Sequence, residues 1–328
     1  ARAMRASRWS GHEMCWRHAP DEYGAIHFHS DDMTDCGWPT ALDWQVPGDL
    51  KSGCYALKLR AGAEVENIPF FVVPPKGRAT AKIAVLVSTF TYTVYANHSR
   101  PEFRLSKRWR QGWLDQAAQW NAYPHNPGDH PEYALSTYND HVDGSGVSIS
   151  SWLRPMMNVR VGYITYPFPE IRASGLRHYP ADTHLHTWLE DQGYDFDIIT
   201  DYELHHEGAD LLARYTCVLT GSHPEYHTRE MLDALETYRD TGGRLMYLGG
   251  NGFYWKIALD PERDGIVEIR RGEGGIRAWA AEPGEYYNQF DGEYGGLWRR
   301  NGRPPQHLVG DGFSAQGNFV GSHYVIDK

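Results

Sequence analysis

Cysteine is scarce in this chain. Its 328 residues hold 4, and Cys15, Cys36, Cys54 and Cys217 are spaced too irregularly for a disulfide framework or a CxxC zinc site. That usage fits a reducing compartment, so the cytoplasm is the expected location. No apolar run approaches the roughly 18 residues that a membrane-spanning helix needs, and the first twenty residues lack the apolar core of a secretory signal. Basic charge is also in deficit. The 32 Lys and Arg against 42 Asp and Glu leave a formal charge of −10, so no sequence-wide positive field exists to attract a nucleic-acid backbone. The chain opens on Ala1 and stops at Lys328 just after an apparent strand, which suggests a piece of a longer polypeptide.

What is plentiful is aromatic. The chain carries 12 Trp, 21 Tyr and 11 Phe within 41% hydrophobic and 23% charged residues, a composition that excludes disorder and fits one large or two modest packed domains. Residues 1–77 read as a small β-sandwich-like unit. Short alternating or apolar stretches, Ala25–His29, Tyr55–Arg60 and Ile68–Val73, are separated there by Gly, Pro and Asp. Pro74-Pro75-Lys76-Gly77 suits neither a sheet nor a helix start and marks the boundary.

Beyond it, residues 78–328 read as an α/β domain. Lys82–Ser88 is a continuous apolar run of the kind buried on both faces of a parallel sheet. A helix over 182–192 ends at Gly193, strands follow at 196–199 and 215–220, a helix over 228–240 buries Met231, Leu232, Leu235 and Tyr238, and a last strand runs over 244–248. Alternation of this kind predicts a doubly wound parallel sheet with right-handed crossovers. Residues 97–158 form a long insertion rich in Trp, Tyr, His, Asn and Gly, of the size that is functional or carries its own helix. Residues 265–328 read as a β-rich appendage.

Ligands of open α/β sheets collect beyond the carboxyl ends of the strands. Three such ends carry Thr91–His98, Gly221–His227 and Gly249–Trp255. The glycine turn at 249–252 stands where a strand-to-helix elbow presents a nucleophile in hydrolases, yet its apex is Asn251, an amide suited to steadying a developing oxyanion. A plain tight turn is the alternative. Cys217 is expected mid-strand and pointing into the core, a poor nucleophile. Without a nucleophile, amide or ester hydrolysis calls for activated water, and phenolate and carboxylate oxygens suit a hard cation such as ferric iron. Glu225, two residues after His223 across Pro224, is placed to serve such an ion, with a solvated loop acid as the simpler reading.

Four runs in order, Tyr92–Asn97, Ser136–His141, Thr220–Tyr226 and Tyr247–Trp255, resemble the large subunit of N,N-dimethylformamidase. The similarity extends over nearly the whole chain, including Gly24–His29 and Gly292–Arg299. It implies a class I glutamine amidotransferase-like (flavodoxin-like) domain that holds one mononuclear Fe(III) through two tyrosines and a glutamate, and that hydrolyses small N-substituted formamides to an amine and formate. By motif the ligands are Tyr95, Tyr138 and Glu225, with Tyr92 the alternative for the first. The resemblance makes His223 the base or the orienting group and Asn251 a substrate contact. The ion would lower both phenol pKa values from about 10 and activate water. Longer family chains with a lectin-like sandwich ahead of residue 1, a small companion subunit and homo-oligomers are implied as well.

Two other readings stand beside this one. His27 and His29 share one face of a strand with Asp31 or Asp32 nearby, a second possible metal pair or simply hydrogen-bonded surface histidines. The pairs His184/His186 and His205/His206 have spacings that do not align on a helix. Alternatively, the Trp- and Tyr-rich loops stack on sugar rings, making the chain a non-catalytic carbohydrate-binding or scaffold protein, or the enzyme acts on a different amide.

Overall fold

The computed structural model describes residues 2–5, 8–13, 18–27, 35–98, 107–141, 145–164, 176–272, 278–281 and 285–314. In residues 1–77 the described strands form two separate antiparallel pairs. β1 (Arg2–Arg5) joins β2 (Tyr23–His27), and β3 (Gly53–Ala61) joins β4 (Glu64–Val72). The second pair is a hairpin in unbroken register from Gly53 opposite Val72 to Ala61 opposite Glu64, closed by a two-residue loop in which Gly62 takes φ 64°. A positive φ at that first loop position is what lets a two-residue turn follow the strands' twist.

Next come β5 (Ile83–Val87), α1 (Thr89–Val94), α2 (Lys107–Trp120), β6 (Ile149–Ser151), α3 (Tyr179–Asp191) and β7 (Phe196–Thr200). They are followed by α4 (Asp201–Glu207), α5 (Ala209–Leu212), β8 (Cys217–Thr220), β9 (Tyr226–His227) and α6 (Arg229–Asp240). The last elements are β10 (Arg244–Met246), β11 (Trp255–Leu259), β12 (Ile266–Ile269) and α7 (Pro305–Val309). The chain is thus mixed α/β. Four strands form a parallel sheet in the order β10-β8-β5-β7, and the expected apolar runs supply them.

Side-chain alternation explains the run at β5. Ala84 and Leu86 enter a core with Val218, Met231 and Leu235, whereas Val85 and Val87 enter a second core with Ile198, Leu189 and Tyr179 on the opposite face. Both faces are dry, so no polar residue interrupts the strand. The β3–β4 hairpin packs Cys54 and Phe71 against this second core, and Ser52 Oγ accepts from Ile198 N at 2.8 Å. On α6, Met231, Leu232, Leu235 and Tyr238 are buried, and the Thr228 hydroxyl caps the helix by accepting from Met231 N.

A second, mixed sheet has the order β6-β12-β11-β9. β12, from the region after residue 265, is central there between β6 from the insertion and β11. The insertion also carries α2.

Two expectations need correction. Cys217 is the first residue of β8 and only half-buried, because the strand begins there and not at residue 215. The glycine turn after β10 is no elbow: it leads into β11 without a helix, with Asn251 at φ 53° and Phe253 at φ 55°. Among the described residues, no helix is long and apolar enough to cross a membrane.

Candidate functional site

The order of the parallel strands reverses at β5: the chain steps to β7 on one side and returns to β8 on the other. The carboxyl ends of β5 and β8 therefore stand side by side, the place where open α/β sheets bind their ligands. β5 runs through Ser88 into α1, and Tyr95 is the C-cap of that helix. β8 runs through Gly221, Ser222, His223 and Pro224 to Glu225.

A side-chain hydroxyl holds these two segments together. Thr91 Oγ1 on α1 accepts from Glu225 N at 3.1 Å and from Tyr226 N at 3.4 Å. From the other side, the turn after β10 clasps the same loop. Gly250 N donates to Ser222 O, Phe253 N to Pro224 O, and Tyr254 N and Trp255 N to Glu225 O, at 2.8 to 3.1 Å. This clasp requires Gly249 itself, because a Cβ there would lie 2.6 Å from Pro224 Cδ and 2.7 Å from Ser222 O. The insertion is fastened in turn: Thr137 Oγ1 donates to Val94 O at 2.8 Å, and Asn97, at φ 56°, donates to Pro155 O and accepts from Met157 N.

The result brings Tyr95, Tyr138 and Glu225 together from three distant stretches of chain. Tyr95 Oη donates to Glu225 Oε2 at 2.7 Å, and His223 Nε2 lies 3.0 Å from the same oxygen. The Tyr95 and Tyr138 rings stack with centroids 4.2 Å apart and planes 18° apart. Tyr138 Oη is 2.5 Å from Tyr226 Oη, and Arg271 Nη2 donates to Tyr226 Oη at 3.1 Å. Tyr95 and Glu225 are 4% and 3% exposed, so water does little to screen these contacts.

Tyr92 faces the other way. Its hydroxyl donates to the Asp182 carboxylate, which also accepts from Ser222 N at 2.5 Å. Asn251 sits on the clasping turn, but no hydrogen bond ties its side chain to Tyr95, Tyr138 or Glu225. Of the other histidines, His186 Nδ1 contacts Cys54 Sγ at 3.5 Å and His205 Nδ1 contacts Thr228 Oγ1 at 2.9 Å. His29, Asp31 and Asp32 lie outside the described residues.

Burial dominates the ionisation of this cluster. It pushes the Tyr95 hydroxyl well above its ordinary range, reinforced by the Glu225 charge, and pushes Tyr138 up to about 12. Burial also raises Glu225, but the opposing pull of His223, the Tyr95 hydroxyl and Arg271 leaves its carboxyl below the usual value. Both phenols thus keep their protons unless a strong positive charge replaces them, which is what a bound cation does.

The donor set fits such an ion. Among the described residues no group of three His, Cys, Asp or Glu side chains could hold a metal, but two phenol oxygens and one carboxylate are hard donors of the kind a hard cation takes. Buried His178 adds to this. Its ring lies 4.2 Å from that of Tyr95 and 5.3 Å from that of His223, and among the described residues its Nε2 has no hydrogen-bond partner. Such an orphan is costly unless a further group meets it.

The sequence pattern singles out none of Tyr226, Arg271 and His178. Tyr226 directly follows Glu225 at the end of the Thr220–Tyr226 run. Arg271 sits in a stretch whose pattern signals only a strand, and His178 in none of the four runs.

A family model described as N,N-dimethylformamidase beta subunit-like, C-terminal, matches residues 1–328. The N,N-dimethylformamidase beta subunit of Paracoccus aminophilus is 43% identical over 318 residues, covering 97% of this chain and 40% of that protein. The corresponding subunit of an Alcaligenes species is 41% identical over 324 residues, with the same coverage. The chain therefore spans about two-fifths of the length of the curated relatives it matches. On these similarities the chain belongs to the family of N,N-dimethylformamidase beta subunit-like proteins, and corresponds to their C-terminal part.

Proposed function

We propose that this chain is the catalytic part of an iron-dependent amide hydrolase that cleaves the C–N bond of small N-substituted formamides, such as N,N-dimethylformamide, to an amine and formate. The observation that carries the reading is the convergence of Tyr95, Tyr138 and Glu225 beyond the adjacent ends of β5 and β8. The names of the relatives supply the substrate class.

Tyr95, Tyr138 and Glu225 would hold one ferric ion. Such an ion polarises the amide carbonyl and activates water. The remaining work falls to this chain's own side chains. Glu225 Oε2 steadies His223 Nε2 at 3.0 Å, which orients the imidazole to accept a proton from the attacking water and return it later. Asn251, on the turn that clasps Ser222–Glu225, would turn its amide toward the oxygen that gains charge. The dry surroundings of Tyr95 and Glu225 strengthen each of these interactions.

The strand order β7-β5-β8-β10, with its reversal at β5, supports reading residues 78–328 as an amidotransferase-like, flavodoxin-like domain. Residues 1–77 are read as a β-rich unit ahead of this domain, its β3–β4 hairpin packed on the α/β core through Cys54 and Phe71. The relatives' designation as beta subunits supports a companion subunit; that this companion is small and that the large subunits associate belongs to the same proposal.

Two substitutions test the centre. Tyr138→Phe and Glu225→Ala should each strip iron, the visible phenolate-to-iron band and dimethylamine release from dimethylformamide together. Unchanged iron content in both variants, or colourless unaltered protein with under about a tenth of an iron per chain after iron supplementation, refutes the ligand set.

A further inference from the structure

Arg271 is the largest fully buried side chain among the described residues, 2% exposed, and its Cζ lies 4.2 Å from the Tyr138 ring centroid and 5.1 Å from that of Trp255. A guanidinium is a donor only. Its Nη2 is bonded to Tyr226 Oη at 3.1 Å, so the Tyr226 oxygen is the acceptor there. That phenol is 0% exposed and its hydroxyl has two hydrogen-bond partners among the described residues, Arg271 and Tyr138 Oη. Its single hydrogen has one place to go. A buried O–H left without an acceptor is expensive, and the Tyr138 oxygen 2.5 Å away satisfies it.

We propose that Arg271 and Tyr226 are positioning residues that fix the sense of the hydrogen bond between the two tyrosines, so that Tyr226 donates and Tyr138 accepts. Its use in the reaction rests on Tyr138 being a metal ligand. A ligand phenolate has lone pairs and no hydrogen, so a fixed donor aimed at it suits the charged form, and a competing donor at Tyr138 is avoided. Arg271 is held for the task. Its Nε donates to Thr137 O at 3.4 Å, and the Trp279 indole donates to the same carbonyl at 2.8 Å.

The test uses the full chain in two states. In iron-free protein each phenol carries a proton, and with labelled tyrosine the coupling of the proton shared between the two oxygens to ring carbons shows which phenol donates it. The expected donor is Tyr226, with that signal lost in Tyr226→Phe. A shared proton that belongs to Tyr138 overturns the proposal. In ferric protein, Tyr226→Phe should move the phenolate-to-iron band to longer wavelength, since the phenolate loses a stabilising donor, whereas an unmoved band at full iron content overturns it. Arg271→Lys keeps a cation without the fork and should give a partial shift. Should no iron bind, the ligand reading fails, and the proton assignment still decides the direction of the bond.

Discussion

Tyr92 and Tyr95 offer a matched pair of perturbations, three residues apart on one short helix. Each Phe substitution deletes a single oxygen and keeps the ring. Tyr95→Phe removes a donor 2.7 Å from Glu225 Oε2 and leaves His223 as the neighbour of that oxygen. Tyr92→Phe removes a donor from Asp182, which keeps Ser222 N. Hydrogen bonds to charged groups contribute about 1.5–3 kcal/mol each, so the two variants should lose similar stability in urea titrations of iron-free protein. Packing adds little to the difference, because the stack of Tyr95 on Tyr138 and the contact of Tyr92 with Tyr179 survive. Iron content should separate them. Elemental analysis should find iron largely lost from Tyr95→Phe and near the unaltered level in Tyr92→Phe. Equal retention in both variants refutes the assignment of Tyr95, and loss confined to Tyr92→Phe reverses it.

Other outcomes follow from the same geometry. Burial pushes the Cys54 thiol up to about 12, so only about one part in ten thousand is thiolate at pH 8; iodoacetamide should label Cys54 far more slowly than Cys36 or Cys217, and comparable rates refute the burial argument. Asp201 accepts from Phe90 N at 2.9 Å, and burial raises its carboxyl well above the usual range despite that bond. A raised acid contributes stability that is full below its unfolded pKa, about 4, and is lost as pH rises through the folded value, by at most about 1.4 kcal/mol per pH unit. Asp201→Asn, which keeps an acceptor, should therefore gain on the unaltered protein as pH rises from 4 toward 8, with an urea-midpoint difference that stays flat counting against it. Gly249→Ala should cost about 1–3 kcal/mol by overpacking and reduce iron retention, because the added Cβ meets the loop that carries Glu225; normal stability and iron in that variant show that the clasp can yield.

Much of this architecture is written in local pattern. The apolar runs at β5, β7 and β8 are legible because both faces of a parallel sheet are buried, and α6 because its apolar residues recur at helical spacing and a threonine caps it. The turn after β10 misled, since glycines that permit positive φ do not say whether a helix or a strand comes next. The candidate ligands could be chosen by oxygen chemistry, strand-end position and motif. Local pattern stops there.

Residue types and their periodicity determine that this chain builds a parallel sheet and which strands enter it; that its candidate metal donors are oxygens is what the resemblance implies. The direction of each donor is a tertiary result. Tyr95 caps α1 and meets Glu225 while Tyr92 turns to Asp182, because the exit of the chain from the helix and the loop braced by Thr91 set their positions. Arg271 reaches Tyr138 and Tyr226 only once the second sheet has formed beside the first. Periodicity reports which face of an element is buried; it carries no information on which partner, more than a hundred residues away, is buried against it.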